Sequence, residues 1–444
     1  MKLVLLSASL AAVSLAACAH YKSAPPQLDR FPAELEARRL EAKPSWSGGD
    51  LLASALARNP QVAEAKARYL TAISAARTAK RAPGLTLTLT AEYADESPRW
   101  GYGAAADVPL DTGARRRARM SAADLQALQA WYDYAEAAWA VRTALEKARI
   151  DLERAEASVA LIDRAASLRR ERLQRLERRV AAGEDDRVLA LGAQTELAAA
   201  ERKLADARGQ GVQARVDLAK ALGVGPAAVA ALVIGPVSGI PSLEALPAWR
   251  RDAVLTRRDV LRALADYDLA EGALRLEVFK QYPEVRLGPG YIYDHGVNKL
   301  PFNLSLTLPS YDLNRSAIAQ AEAARAASGR SLETVQAEVL SRVDTAAGAL
   351  AAAQANLDHV GERALPAARR TAVGTARAVK AGAADRVEDL AARAAVLDAE
   401  LDLANARHAV AIATADLEDA LRRPFDPAET NVLQAALPPP GGPR

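Results

Sequence analysis

The sequence predicts a mainly α protein with a small β part, built from one unit used twice: helix, hairpin, very long helix, return helix. Three observations predict it. First, the 444-residue chain repeats itself: AERKLADAR (Ala200 to Arg208) recurs as AELDLANAR (Ala399 to Arg407). That offset of 199 also carries Gly183 onto Gly382 and Asp186-Arg187-Val188 onto Asp385-Arg386-Val387. Nearer the start of each half the offset is 200, matching Pro83 and Pro109 to Pro283 and Pro309. A repeat of this length exceeds any solenoid period and marks a duplicated domain. Second, Ala114 to Ala182 contains no proline and no glycine. About 70 helical residues make a rod of roughly 105 Å, too long for the inside of a compact domain. Third, one segment in each half abandons helical periodicity for alternation of apolar and polar residues, the mark of a strand with two unlike faces.

Composition narrows the function. Half of the residues are hydrophobic, a quarter are charged and 5 % are aromatic, as suits long, closely packed helices. The net charge of +3 implies no nucleic-acid partner. One cysteine permits no intrachain disulfide,. The four histidines and two methionines are scattered without metal-ligand spacing. No phosphate loop, nucleophile–base set or paired-carboxylate cleft is present, so no enzyme, cofactor or metal is expected.

The chain opens with Lys2, an apolar run from Leu3 to Leu15, and Leu15-Ala16-Ala17-Cys18. The run is too short to span a bilayer and reads as a secretory signal over 1–17. It resembles the bacterial lipoprotein signal, which implies that Cys18 is lipidated and heads the mature chain. Residues 18–49 carry proline, glycine and charge without period and read as an extended arm.

The first repeat is expected over 50–222. Asn59-Pro60 opens a helix, with Asn59 as N-cap, running to about Ala82 before Pro83. Leu85 to Thr90 alternates as a strand, Asp95 to Pro98 turns, and Gly101 to Leu110 returns. The rod follows, with Leu145, Leu152 and Val159 at coiled-coil spacing. Gly183 breaks it, and a return helix runs from Asp185 to Leu222. Residues 223–249 link the halves. The second repeat, over 250–423, follows the same order. Asp259 is expected as the helix cap, Val285 to Tyr293 and Phe302 to Leu308 as strands, and Asp294-His295-Gly296 as the turn. Val343, Leu350 and Leu357 mark the rod seam, Gly382 the break, and Ala384 to Arg422 the return helix. Pro366 predicts a kink in the second rod alone, because Ser167 holds the matching place. The Pro/Gly-rich stretch 424–444 reads as a tail. Each half's two shorter helices nearly equal the rod in length. They are expected to stack alongside it, with a short gap level with the linker.

Tyr93, Trp100, Tyr102, Tyr291, Tyr293 and Phe302 gather at the strand ends, where a membrane barrel carries its aromatic girdle. Two hairpins give four strands, about eight are needed to close a membrane barrel, and open edges are not tolerated in lipid. A membrane reading therefore requires oligomers, and a trimer supplies twelve strands.

The doubled order, Asn59-Pro60 opening a helix, Pro109-Leu110-Asp111-Thr112-Gly113 and Pro309-Ser310-Tyr311-Asp312-Leu313-Asn314 between strand and rod, and the two Ala-Gly tips resemble the TolC-type outer membrane efflux proteins, and Cys18 their lipoprotein branch. The resemblance covers about residues 50–422. It implies a homotrimer forming a 12-strand outer-membrane β-barrel continued by a 12-helix periplasmic α-barrel. It further implies passive conduction of substrates delivered by an inner-membrane transporter (RND or ABC type) through a periplasmic adaptor. The tips Gly183, Asp186, Arg187, Val188, Gly382, Asp385, Arg386 and Val387 are then expected to dock the adaptor, and Glu388 to form a gating ring of carboxylates. Ala391, Val379 and Ala384 occupy places where well-known family members carry gate residues, which points to another, apolar closure. The rival reading is a periplasmic coiled-coil adaptor or a structural lipoprotein without a pore.

Overall fold

The computed structural model describes residues 21–81, 84–95, 97–109, 113–235, 243–308 and 311–437. Cys18 with its signal, Pro83, residues 110–112, and Pro309 with Ser310 lie outside them. Helices α1 (Arg30–Ala37) and α2 (Gly48–Arg58) precede α3 (Pro60–Ala79), strands β1 (Thr86–Tyr93) and β2 (Trp100–Pro109), the rod α4 (Gly113–Ala181) and the return helix α5 (Arg187–Leu222). The second repeat has α6 (Leu246–Thr256), α7 (Arg258–Phe279), β3 (Glu284–Asp294), β4 (Val297–Lys299), β5 (Phe302–Thr307), α8 (Arg315–His359), α9 (Leu365–Lys380) and α10 (Arg386–Leu421), followed by α11 (Pro427–Ala436). Among the described residues no helix is long and apolar enough to cross a membrane.

The strands form one antiparallel sheet in the order β1-β2-β3, with β4 and β5 both paired to β3. His295 and Gly296 adopt left-handed backbone (φ 43° and 102°) and make the two-residue turn into β4,. The register gives the sheet two unlike faces. Leu87, Leu89 and Tyr93 lie opposite Ala106, Ala104 and Trp100. Tyr102 opposes Tyr293 and Val108 opposes Leu287; Leu287, Pro289 and Val285 oppose Leu304, Phe302 and Leu306. Opposed residues point the same way, so this face is apolar along β1, β2, β3 and β5. The other carries Thr86, Thr88, Thr90, Asp107, Arg286, Asn303, Ser305 and Thr307, with Arg286 beside Asp107 at 3.5 Å. Gly103 belongs to this polar face because a Cβ there would come within 2.7 Å of Thr90 Oγ1. A hairpin packed in water would need a layer over its apolar face. Among the described residues there is none: Leu85, Leu87, Leu89, Phe302, Leu304, Leu306 and Leu308 are 53–72 % exposed.

Rod α4 runs 69 residues without a break, about 104 Å. It packs against α3 and α7 above and against α5 and α10 below. Its buried set is accordingly wider than the seven-residue seam: beside Leu145 and Leu152 it includes Ala135, Ala138, Trp139, Arg142, Glu146 and Arg149. The second rod departs from regular α-helix just before Pro366. Proline has no N–H to return, and the turn before it widens over Val360–Ala364, where the Leu365 N–H reaches back to the Val360 carbonyl. Among the described residues the helices form an open arc, α5–α4–α10–α8/α9, whose two ends do not meet each other.

The short helices α3 and α5, 20 and 36 residues long, meet end to end beside α4. No gap separates them. Asn59 caps α3 by accepting from the Gln61 N–H (2.9 Å) and donates through Nδ2 to the last carbonyls of α5, Ala221 O (2.9 Å) and Lys220 O (3.3 Å). Gly223 ends α5 in left-handed backbone (φ +66°), and a Cβ there would sit 2.6 Å from Arg58 O. In the second repeat Asp259 is not the cap. Residue 257, just before the helix, is an arginine, buried, whose guanidinium donates to Ala420 O at the end of α10 and to both oxygens of Asp259.

The segments read as arm, linker and tail gather at this level. The arm contains α1, and Arg38 from its end donates to Arg58 O (2.9 Å) and Gly223 O (2.8 Å). Trp46 bonds to Val233 and Gly235 of the linker (2.9 Å each). The tail forms α11, which buries Leu433 and Leu437 with Trp46, Leu51, Leu52, Trp139 and Val229. Arg142, 2 % exposed, ties α11 to α10 through Glu429 (2.7 Å) and Glu418 (2.6 Å). Composition hid this, because apolar side chains spaced along three separate segments show no period until the segments meet.

Gly223→Ala should cost on the order of 1–3 kcal/mol through backbone strain and the clash with Arg58 O, and Asn59→Ala about 1–2 kcal/mol through the lost cap. Gly192→Ala, within α5 with nothing near its Cβ site, should be neutral or stabilising. Circular-dichroism melts of the three purified variants check this order.

Candidate functional site: the paired helix tips

The rods end by the same local device. Gly183 (φ +76°) and Gly382 (φ +72°) turn left-handed, and nothing lies within 4 Å of a Cβ at either; the requirement is for the backbone angle, not for space. The next residue's N–H reaches back into the rod: Glu184 to Arg179 O (2.9 Å), Ala383 to Ala378 O (2.8 Å). Asp186 then caps α5 at the Val188 N–H (3.0 Å), and Asp385 caps α10 at the Val387 and Glu388 N–H groups. The capping role of both aspartates follows.

One residue outside the expected set joins the tips. Arg179, in the last turn of α4, bonds Asp185 Oδ1 (2.9 Å) and also the Asp385 carboxylate of the other tip. The tie within the protomer is therefore ionic. Burial raises the Asp385 pKa, but the Glu388 N–H, Arg179 and the Val387 N–H outweigh it and hold the carboxyl below its ordinary value.

The copies then diverge. Val387 is buried with Leu176 and Ala193, whereas Val188 is 68 % exposed and adjoins exposed Leu189 and Leu191. Arg187 is exposed, whereas Arg386 donates to Asp389 (2.6 Å). Glu388 is exposed, with a side chain turned to solvent. The buried acid of the tip is its neighbour Asp389, fully buried between Arg386 and Arg393 (3.0 Å). Positions 386, 389 and 393 share one helix face, a signal present in the sequence; the matching residues 190 and 194 are alanine and glutamine, so the comparison of repeats that exposed the glycines concealed the acid.

The tips, the two-faced sheet and the open arc together define the end pieces of a membrane-to-periplasm duct. The chain matches the family model for outer membrane efflux protein over residues 51–224 and 249–421. It belongs to that family, and its function is the family's: an outer-membrane efflux channel of a tripartite pump. Among solved structures it is similar to the outer membrane protein VceC from Vibrio cholerae, at 20 % identity over 85 % of this chain and 97 % of that one, TM-score 0.71. It is also similar to the Campylobacter jejuni CmeC outer membrane channel (13 %, 94 % and 97 %, TM-score 0.71) and to the open state of the Neisseria gonorrhoeae MtrE outer membrane channel (18 %, 85 % and 89 %, TM-score 0.68). At these identities the likeness establishes the fold. No curated protein sequence matches the chain.

Asp385 has a lower pKa folded than unfolded, so its contribution is complete above the ordinary aspartate value of about 3.9 and is lost as pH falls through the lowered one. Arg179→Gln should raise the exchange rates of the Val387 and Glu388 amides by about two- to fivefold, because the carboxylate they donate to loses its cation. In the parent chain their protection should persist at pH 4 and vanish at more acid pH. Hydrogen exchange with mass spectrometry reads both.

Proposed function

We propose that three copies of this chain close edge to edge into one duct. Twelve strands form a barrel in the outer membrane, twelve helices continue it as a periplasmic tunnel, and a lipid on Cys18 adds an anchor. Substrates delivered by an inner-membrane transporter through a periplasmic adaptor pass along it passively.

The observation that carries this reading is that sheet and arc are both incomplete in the same sense. In lipid the unpaired edges of β1 and β5 would leave backbone groups unsatisfied. The two edge strands are antiparallel, so β5 of one copy can take β1 of the next in the antiparallel sense of a barrel. The apolar face then meets lipid and the threonine- and serine-bearing face lines water. A structural lipoprotein or coiled-coil adaptor has no use for an uncovered apolar sheet. At the far end, exposed Val188, Leu189 and Leu191 offer the adaptor an apolar contact beside the Arg179 tie, and Glu388, repeated by threefold symmetry, gives a ring of three carboxylates at the mouth.

Protein extracted from outer membranes should migrate as a heat-dissociable trimer and form discrete conducting steps in planar bilayers. Glu388→Gln should conduct and lose at least about half of the block by multivalent cations added on the tip side. A monomer without conductance contradicts the duct; trimers whose block is unchanged by the substitution remove Glu388 from the mouth.

A further inference from the structure

At the foot of the strands the repeats differ in charge. The end of α3 and the start of α4 lie together here: Arg119 donates to Ala79 O (3.2 Å) and Arg81 O (3.4 Å), and Lys80 pairs with Asp124 at 3.0 Å. Arg115 pairs with Glu284 at 3.0 Å. Four further arginines at this level, Arg77, Arg81, Arg116 and Arg117, are exposed, and among the described residues none has a hydrogen bond or ion pair from its side chain.

Local folding does not account for Arg116 and Arg117. They stand near the start of a helix whose first turn holds no acid, where the macrodipole disfavours cations. The second repeat is an internal control. It builds the same helix–hairpin–rod corner with Glu277, Gln281, Ser316 and Ala317 at the places of Arg77, Arg81, Arg116 and Arg117. There Lys280 is neutralised by Glu277 (2.6 Å) and the first turn of α8 is served by Asp312, which accepts from Ser316. The fold therefore does not need the four arginines.

Their position supplies a partner. Along β1 and β2 the apolar face of the sheet ends at Leu85 and Val108, a few residues from Arg81 and from the start of α4 at Gly113. We propose that Arg77, Arg81, Arg116 and Arg117 form a basic collar, contributed by the first repeat alone, that holds the phosphodiester headgroups of anionic phospholipid where the sheet leaves the bilayer. The proposal rests on the membrane reading of the sheet. Guanidinium groups match phosphate oxygens in paired hydrogen bonds, and the charges strengthen that attraction beside a lipid surface. Three collars in a trimer ring the barrel.

The test uses purified trimers in neutral detergent with spin-labelled phosphatidylglycerol or phosphatidylcholine. Phosphatidylglycerol should be enriched about fivefold or more over phosphatidylcholine in the motionally restricted fraction. The enrichment should fall toward one in 0.5 M salt and in the quadruple Arg→Gln variant, and persist in the quadruple Arg→Lys variant. Equal association of the two lipids, or undiminished enrichment in the Gln variant, overturns the collar. Displacement of phosphatidylglycerol by millimolar inorganic phosphate, at constant ionic strength, also overturns it and makes the site one for free anions. Conductance of the same preparations keeps the outcomes separate, since a conducting trimer without lipid preference refutes the collar and leaves the duct standing.

Discussion

Everything in this chain depends on covering a rod of about 104 Å along its whole length. No single return helix does so. Two shorter helices stacked end to end do, and this brings four orphan carbonyls of one helix against four orphan N–H groups of the next. The junction solves that locally. Asn59 serves both helices at once, accepting from α3 and donating to α5, and Gly223 admits the close approach. The buried collar of Trp46, Trp139, Val229 and Leu433 then excludes water from the joint. Without the joint, α3 and α5 would splay, and the hairpin carried by α3 and the tip carried by α5 would lose their common reference.

The duplication conserves geometry more strictly than chemistry. Where the first repeat joins its half-helices with Asn59 and Gly223, the second uses buried Arg257 and, at the end of α10, the left-handed Arg422. Where the first rod is continuous, the second widens before Pro366. One tip exposes its valine and the other buries it. Six helix–tip units in a closed ring would therefore alternate in kind, and the ionic tie between tips, Arg179 to Asp385, joins unlike units.

What was legible in the sequence is what has a period or a punctuation mark. The rods, the two glycine tips with their capping aspartates, the alternation of Leu87 and Leu89 with Thr88 and Thr90, and the Pro366 break each follow from local rules. What escaped is long-range. Arg179 binds a residue more than two hundred positions away. The hydrophobic residues of α11 become core only when folded back on α4, and the buried charge of Arg142 is intelligible only beside Glu418 and Glu429. Asp259 was misread because the helix starts one residue earlier, after Arg257, whose guanidinium takes the Ala420 carbonyl and holds the Asp259 carboxylate inside the first turn. The tail and arm were misread for a related reason: short elements that fill a joint carry no signal of their own.

The central claim is that the sheet is completed by neighbouring copies, β5 of one against β1 of the next. Within a chain these edges are three strand spacings apart, about 14 Å. The direct measurement is thiol cross-linking in native outer membranes, with Cys18 kept, since its lipidated sulfur carries no free thiol, and with cysteine at Thr88 and in turn at Asn303, Ser305 or Thr307, all on the polar face, using a reagent shorter than 8 Å. The account predicts a covalent ladder ending at the trimer for at least one pair, absent from each single-cysteine parent. Monomers alone from every pair, or a ladder that runs on past three, would contradict it.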